Sequence, residues 1–334
     1  MTSLASKKVF VTGADGFIGS HVTEACVAAG ARVVALSCYS SFDSDGWLDD
    51  LAPDVRAQIE VVRGDIRDGA FLRNAMRGAD VVLHLAALIG IPYSYLSPSS
   101  YVDVNVQGSL NVFLAAQDVG ATRIVQTSTS EVYGTALTRP IKEDHPLRGQ
   151  SPYAASKIGA DKMAEAMVRS AGLPIVILRP FNTYGPRQSQ RAVIPTVVRQ
   201  ALDPNLRQIE VGDTTTERDW LFVEDTARAF VAAATAKLEY GDAYNAGSGT
   251  TVSVGTMIEQ VRSIVGTDKP VVSKAERMRP EHSEVRVLQA DSTRFETASG
   301  WRPSMTLADG LAKTIAWWQK REPEAFRRAH GYRV

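Results

Sequence analysis

The sequence predicts an α/β fold, a doubly wound parallel sheet followed by a smaller, mainly helical C-terminal lobe. Three observations carry that prediction. Short β-branched apolar runs alternate with longer amphipathic stretches from Lys8 to Leu178. A glycine-rich turn links the first apolar run to the first helical pattern. The rhythm then breaks at Pro180, after which proline, glycine and arginine punctuate the chain.

The runs 8–12, 32–36, 59–62, 81–85, 123–127 and 175–178 read as buried strands, too short and too β-branched for helices. Helical patterns lie between them, at about 17–29, 68–77, 103–119 and 153–171. Such alternation implies parallel strands covered by helices on both faces, with ligands gathering at the carboxyl ends of the strands. Further helices are expected at about 193–201, 225–237, 253–265 and 306–320. One strand-helix return to the sheet is expected near 220–246, and 322–334 reads as a solvated basic tail. The pattern divides into a first domain, 1–181, and a second lobe, 182–334.

Composition limits the function. The 334 residues carry 37 basic and 37 acidic side chains, which argues against holding nucleic acid or anionic membrane by bulk charge. Two cysteines, Cys26 and Cys38, make neither a disulfide framework nor a thiolate metal site, and no metal is expected. The apolar stretch 81–91 is too short to span a bilayer, and the first residues lack the apolar core of a signal peptide. A cytoplasmic protein is the expectation. The pattern at 103–119 is apolar on two faces, through Val104, Val106, Leu110, Phe113, Leu114 and Val119. One face would meet the sheet and the other a second copy, so a homodimer is expected.

Gly13-Ala-Asp-Gly16-Phe17-Ile18-Gly19 follows the first strand and opens the first helix. In that context it is a dinucleotide fingerprint of the Rossmann type. Gly13 serves the turn, Gly16 admits a pyrophosphate, and Gly19 lets the helix approach the strand. The helix N-terminus supplies unpaired N–H groups for the anion. An acidic residue commonly ends the second strand to bind the ribose; Ser37 stands there and leaves NAD and NADP both open. Asp65 and Ile66 after the third strand, and Leu85, Ala86 and Ala87 after the fourth, complete the expected cofactor wall.

Tyr153-Ala-Ala-Ser-Lys157 places a phenol and an ammonium one turn apart on a helix, where the cation would help tyrosinate act as a base. The fifth strand ends in Thr127-Ser128-Thr129-Ser130-Glu131, offering a hydroxyl for a substrate oxygen and a carboxylate for proton transfer. His84 and His282 read as structural.

These motifs together resemble the extended short-chain dehydrogenase/reductases of the nucleotide-sugar epimerase/dehydratase group. Thr129-Ser130-Glu131 is similar to the catalytic triplet of GDP-mannose 4,6-dehydratases; dTDP-glucose 4,6-dehydratases carry aspartate where Ser130 stands, and UDP-glucuronate decarboxylases share the triplet. Gly46-Trp47-Leu48-Asp49, Leu88-Ile89-Gly90-Ile91-Pro92-Tyr93-Ser94-Tyr95 and Arg187-Gln188-Ser189 resemble the dehydratase of legionaminic-acid-type pathways, which acts on a nucleotide-activated N-acetylglucosamine. The stretch Arg218 to Asp225 resembles the corresponding stretch of hexose 4,6-dehydratases.

The resemblance implies a tightly bound NAD(P) and catalytic roles for Thr129, Ser130, Glu131, Tyr153 and Lys157. It implies an NDP-hexose substrate, GDP- or UDP-N-acetylglucosamine, whose diphosphate meets Asn182, Arg191, Arg218 and Arg279. The reaction would be a redox-neutral 4,6-dehydration. UDP-glucuronate decarboxylation, 4-epimerisation and 5,6-dehydration are the alternatives, and a non-catalytic dinucleotide sensor is the reading from another class.

Overall fold

The computed structural model describes residues 3–321, so the segment 322–334 lies outside the described residues. Six strands of the first half are β1 (Lys8–Thr12), β2 (Arg32–Cys38), β3 (Ile59–Gly64), β4 (Val81–His84), β5 (Arg123–Thr127) and β6 (Ile175–Pro180). A seventh, β7 (Ala243–Ala246), returns from the second half. They form one parallel sheet in the order β3-β2-β1-β4-β5-β6-β7. The order reverses between β1 and β4, and the crevice at such a reversal is where this architecture binds ligands.

Both faces of the sheet are covered, which explains why the strands are nearly continuous apolar runs. Alternate residues serve opposite sides. Val9, Val11, Val33 and Ala35 pack into one core, beside α1 (Phe17–Ala28). Phe10, Val34 and Leu36 pack into the other, beside α2 (Gly69–Ala75), α3 (Gly108–Asp118) and α4 (Pro152–Ala171). α4 starts sharply because the Ser151 hydroxyl accepts the Ala154 N–H at 3.1 Å and Pro152 occupies the first turn; Gly172 ends it in a left-handed conformation.

Two expectations needed correction. The helix expected at 103–119 is present but not uniform: it begins at Pro98, and its Val102–Gln107 segment is π-helical before α3. The widened segment lets Asn105 face the loop after β4: its amide donates to the Leu88 carbonyl at 2.9 Å and accepts the Leu88 N–H at 2.8 Å. It also donates to the Ser156 hydroxyl on α4 at 2.9 Å. Periodicity could not show a bulge that a side-chain clamp stabilises. The return to the sheet is made by a helix (Val223–Thr235) and β7 alone. Trp220–Phe222 pairs instead with Asn182–Tyr184, outside the main sheet.

The second half has its own core, built from Tyr184, Ile194, Val198, Phe222, Met257 and Trp318. Its helices are accompanied by strands of only two or three residues, in small separate sheets. Among the described residues no helix is long and apolar enough to cross a membrane.

Candidate active site

A cleft of about 810 Å³ opens at the carboxyl ends of the parallel strands. Its floor is the turn after β1. A Cβ on Gly19 would lie 1.9 Å from the Gly13 carbonyl oxygen, so only glycine lets α1 sit this close to the strand. The first turn of α1 carries no acidic side chain, which leaves its positive end available to an anion. Thr12 holds the neighbouring loop in place: its hydroxyl accepts the N–H groups of Leu85 and Ala86, each at 3.0 Å.

Thr12 also bonds His84 Nδ1 at 2.7 Å, and His84 Nε2 meets the Ser109 hydroxyl at 3.0 Å. Burial pushes the His84 imidazole down to about 3, so it is neutral at ordinary pH and structural. His282 contributes its backbone carbonyl, which accepts from the Gln150 amide at 3.0 Å.

The catalytic candidates meet on one wall. Thr129, Ser130, Glu131, Tyr153 and Lys157 all line the cleft. Thr129 caps the turn Ser130–Tyr133 by accepting the Glu131 N–H at 3.2 Å, which fixes Glu131 beside the strand end. Burial pushes the Tyr153 phenol up; a hydrogen bond with Thr129 opposes this, and the Glu131 charge adds to it. Burial lowers the Lys157 ammonium to about 8, against the pull of the Asp161 carboxylate. Its Nζ donates to the Thr127 carbonyl at 2.5 Å. Lys157 was expected to bring the phenol down; in this structure burial is the largest influence and pushes it up.

A buried network behind the wall sets its geometry. Asp161, one turn after Lys157, accepts from Arg179 Nη2 at 3.0 Å and from the Ser128 hydroxyl at 2.7 Å. Arg179 Nη1 donates to the Tyr133 hydroxyl at 2.9 Å, and Tyr133 donates to Asn245 Oδ1 at 2.6 Å. One arginine on β6 therefore ties α4, the Glu131 turn and β7 together. Sequence reasoning missed Asp161 and Arg179. The four-residue spacing of Lys157 and Asp161 was the available signal.

The remaining candidates divide. Gly13, Gly16, Phe17, Ile18, Gly19, Asp65, Ile66, Leu85, Ala86 and Ala87 line the cleft, as do Asn182 and Arg279. Asn182 Oδ1 is buried with no hydrogen-bond partner among the described residues. Arg279 Nη1, also buried and without a hydrogen bond, lies 3.8 Å from Glu131 Oε1 and 3.7 Å from Glu284 Oε1. Arg218 is not on the wall but behind it, donating to Glu284 at 2.9 Å. Arg191 is exposed and outside the lining. Ser37 is buried and also outside it, because strand alternation turns it away from Leu36 and Cys38, which do line the cleft. Asp15 and Arg67 are lining residues that the sequence reading passed over.

Comparison with known proteins places this cleft in a family. The sequence profile of the GDP-mannose 4,6 dehydratase family matches residues 10–314. The chain belongs to this family. It is thereby an extended short-chain dehydrogenase/reductase of the nucleotide-sugar dehydratase/epimerase group, as the motifs implied. A dTDP-glucose 4,6-dehydratase from Streptomyces griseus is 37% identical over 315 residues, covering 93% of this chain and 94% of that protein. Among solved structures, the NAD-dependent NDP-hexosamine 5,6-dehydratase TunA of tunicamycin biosynthesis superposes with a TM-score of 0.83 at 29% identity, covering 96% of this chain and all of that one (100%). The epimerase Mth375 from Methanothermobacter thermautotrophicus does so with a TM-score of 0.87 at 29% identity, covering 97% and 95%. Relatives of one fold thus include a 4,6-dehydratase, a 5,6-dehydratase and an epimerase, and the side chains in the cleft must separate them.

Proposed function

We propose that the protein is a nucleotide-sugar 4,6-dehydratase that converts an NDP-hexose, GDP- or UDP-N-acetylglucosamine, to its 4-keto-6-deoxy product. The observation that carries the proposal is Glu131 in the same cleft as Tyr153, Lys157 and Thr129. Oxidation at C4 needs only the phenol, ammonium and hydroxyl; elimination across C5–C6 needs a further group to move a proton, and Glu131 is that group.

The cleft fits a nicotinamide dinucleotide. The close approach of α1 at Gly19, its uncompensated N-terminus and the unpartnered Thr127 Oγ1 all suit one. Bound there, it would supply hydride acceptance from C4 and hydride return to C6. Residues 1–181, with the return near 220–246, would hold it, and 182–334 would hold the sugar nucleotide.

The side chains then have distinct tasks. Thr129 positions the sugar 4-oxygen, and Tyr153 takes its proton while Lys157 supplies positive charge nearby. The 4-ketone acidifies the C5 proton, which Glu131 removes. The carboxyl so formed, with the Ser130 hydroxyl close by, protonates the departing C6 hydroxyl, which leaves as water. The proton then needed at C5, once C6 has regained hydride, balances the one Tyr153 took from the 4-hydroxyl. Asn182 and Arg279 face the substrate diphosphate, arginine offering two parallel donors to phosphate oxygens. Arg218 orders Glu284, which in turn lies beside Arg279.

We also propose a homodimer through the Val102 to Leu114 surface, where Val102 and Leu114 stay exposed. A monomeric sedimentation coefficient at micromolar concentration would defeat it. Incubation with GDP- and UDP-N-acetylglucosamine tests the activity. Loss of one water, with proton NMR showing a C6 methyl group and a C4 ketone, is the expected result. A 5,6-alkene in the spectrum means 5,6-dehydration, inversion at C4 without mass change means epimerisation, and carbon dioxide from UDP-glucuronate means decarboxylation. Any of these replaces the proposal.

A further inference from the structure

The cleft is expected to bind the dinucleotide ribose without an acid at the end of β2, since Ser37 is turned away. A carboxylate does stand there, delivered from another segment. Asp15, inside the glycine-rich turn, lines the cleft and its Oδ2 accepts the N–H of Cys38, the last residue of β2, at 3.3 Å. No basic side chain pairs with it among the described residues. Three arginines from this side of the sheet are held by other aspartates. Arg56 and Arg63 bond Asp45 at 3.0 and 2.7 Å, and Arg67 bonds Asp65 through Nη2 at 2.5 Å and Nε at 3.0 Å.

The position of Asp15 is itself enforced. The Trp47 N–H donates to the Asp15 carbonyl at 2.9 Å. Gly46, at φ 63°, packs so close that a Cβ would lie 2.6 Å from that same oxygen. The Gly46-Trp47 turn therefore clamps the backbone that presents the carboxylate.

We infer that Asp15 is the ribose-reading residue of this protein and makes it select NAD over NADP, with the Gly46-Trp47 turn as its positioning element. This rests on the dinucleotide reading of the cleft. A carboxylate at the end of β2 accepts from a ribose 2′-hydroxyl and repels a 2′-phosphate. With Arg56, Arg63 and Arg67 each paired to an aspartate, none of these three is free to offset that repulsion.

The test is calorimetric titration of the full chain with NAD+ and NADP+ after any co-purified dinucleotide is removed and identified by mass spectrometry. The wild type should release NAD, not NADP, and bind NAD+ at least roughly tenfold more tightly, since a like-charge contact disfavours NADP+. Asp15→Asn keeps an oxygen for the Cys38 N–H and removes the charge; it should shrink the preference by about the same factor, tenfold. Asp15→Ser should do likewise, and serves if the first variant does not fold by its thermal melt. Gly46→Ala should weaken NAD+ binding and narrow the preference together. Equal affinity of the wild type for both cofactors overturns the inference, as does an unchanged ratio in a folded Asp15 variant. Binding of neither dinucleotide overturns the cofactor reading itself.

Discussion

The two halves of the cleft are built on different principles. The half proposed for the dinucleotide comes from strand ends and the turns directly after them, locked by hydrogen bonds and close packing between those turns. The half proposed for the sugar nucleotide is assembled from Glu131, Asn182, Arg279 and, behind them, Arg218 and Glu284, gathered from distant segments. In the first half, local geometry decides the site: a glycine close approach, a capped helix, a hydroxyl holding a loop. In the second, charges hold one another: Glu284 holds Arg218, and Arg279 lies between Glu131 and Glu284. Under the proposed function, rigid presentation suits a cofactor that is regenerated in each turnover, and ion pairs suit a substrate that must arrive and leave.

The comparison can be broken at its strongest point by removing the phenol. Tyr153→Phe should lower kcat by about 100- to 10,000-fold, the usual range for general acid–base catalysis, with the thermal midpoint unchanged. An activity loss under tenfold in steady-state assays would remove Tyr153 from the chemistry. Next in size is the network behind the wall. Asp161→Asn leaves the Arg179 guanidinium, only 3% exposed, without its counter-charge, and stability in urea should drop by about 3–5 kcal/mol. A drop below about 1 kcal/mol would mean that Tyr133 and Asn245 hold Arg179 without it.

The sugar half should answer differently. Arg279→Met should raise KM about tenfold or more, consistent with a charge-assisted bond to phosphate, while the urea midpoint stays within error. An unaltered KM would take Arg279 out of the diphosphate site. The smallest effect concerns pH. The His84 imidazole is lowered to about 3 from an ordinary 6.5. Below pH 6.5 the unfolded chain takes up a proton that the folded chain refuses, so stability is lost as pH falls toward 3. Between pH 6.5 and 5 the slope from this residue should approach about 1.4 kcal/mol per pH unit. His84→Asn should flatten urea midpoints over that interval; an identical slope would show that His84 does not bind its proton as described.

Much of the fold was legible because β-branched runs and amphipathic stretches report their own burial, and six strands fell where the apolar runs lay. The place of the glycine-rich turn and of Tyr153 and Lys157 in the cleft was legible because each motif is short and sits at a strand end or helix start. The π-helical segment was not, since Asn105 acts through Leu88 and Ser156, partners that only the folded chain brings near. Arg218 looked like Arg279 in sequence, yet Glu284 holds it behind the wall. Asp15 was hidden for a related reason. The expected place for an acid was the end of β2, and the acid arrives there from the turn after β1.

The Arg179 network has a consequence for how such enzymes diversify. The spacing between Glu131 and the Tyr153–Lys157 pair is carried by β6, α4 and β7, all deep in the molecule. Under the proposed function, the loops that would face the sugar can vary without moving a reaction centre whose alignment is set in the core.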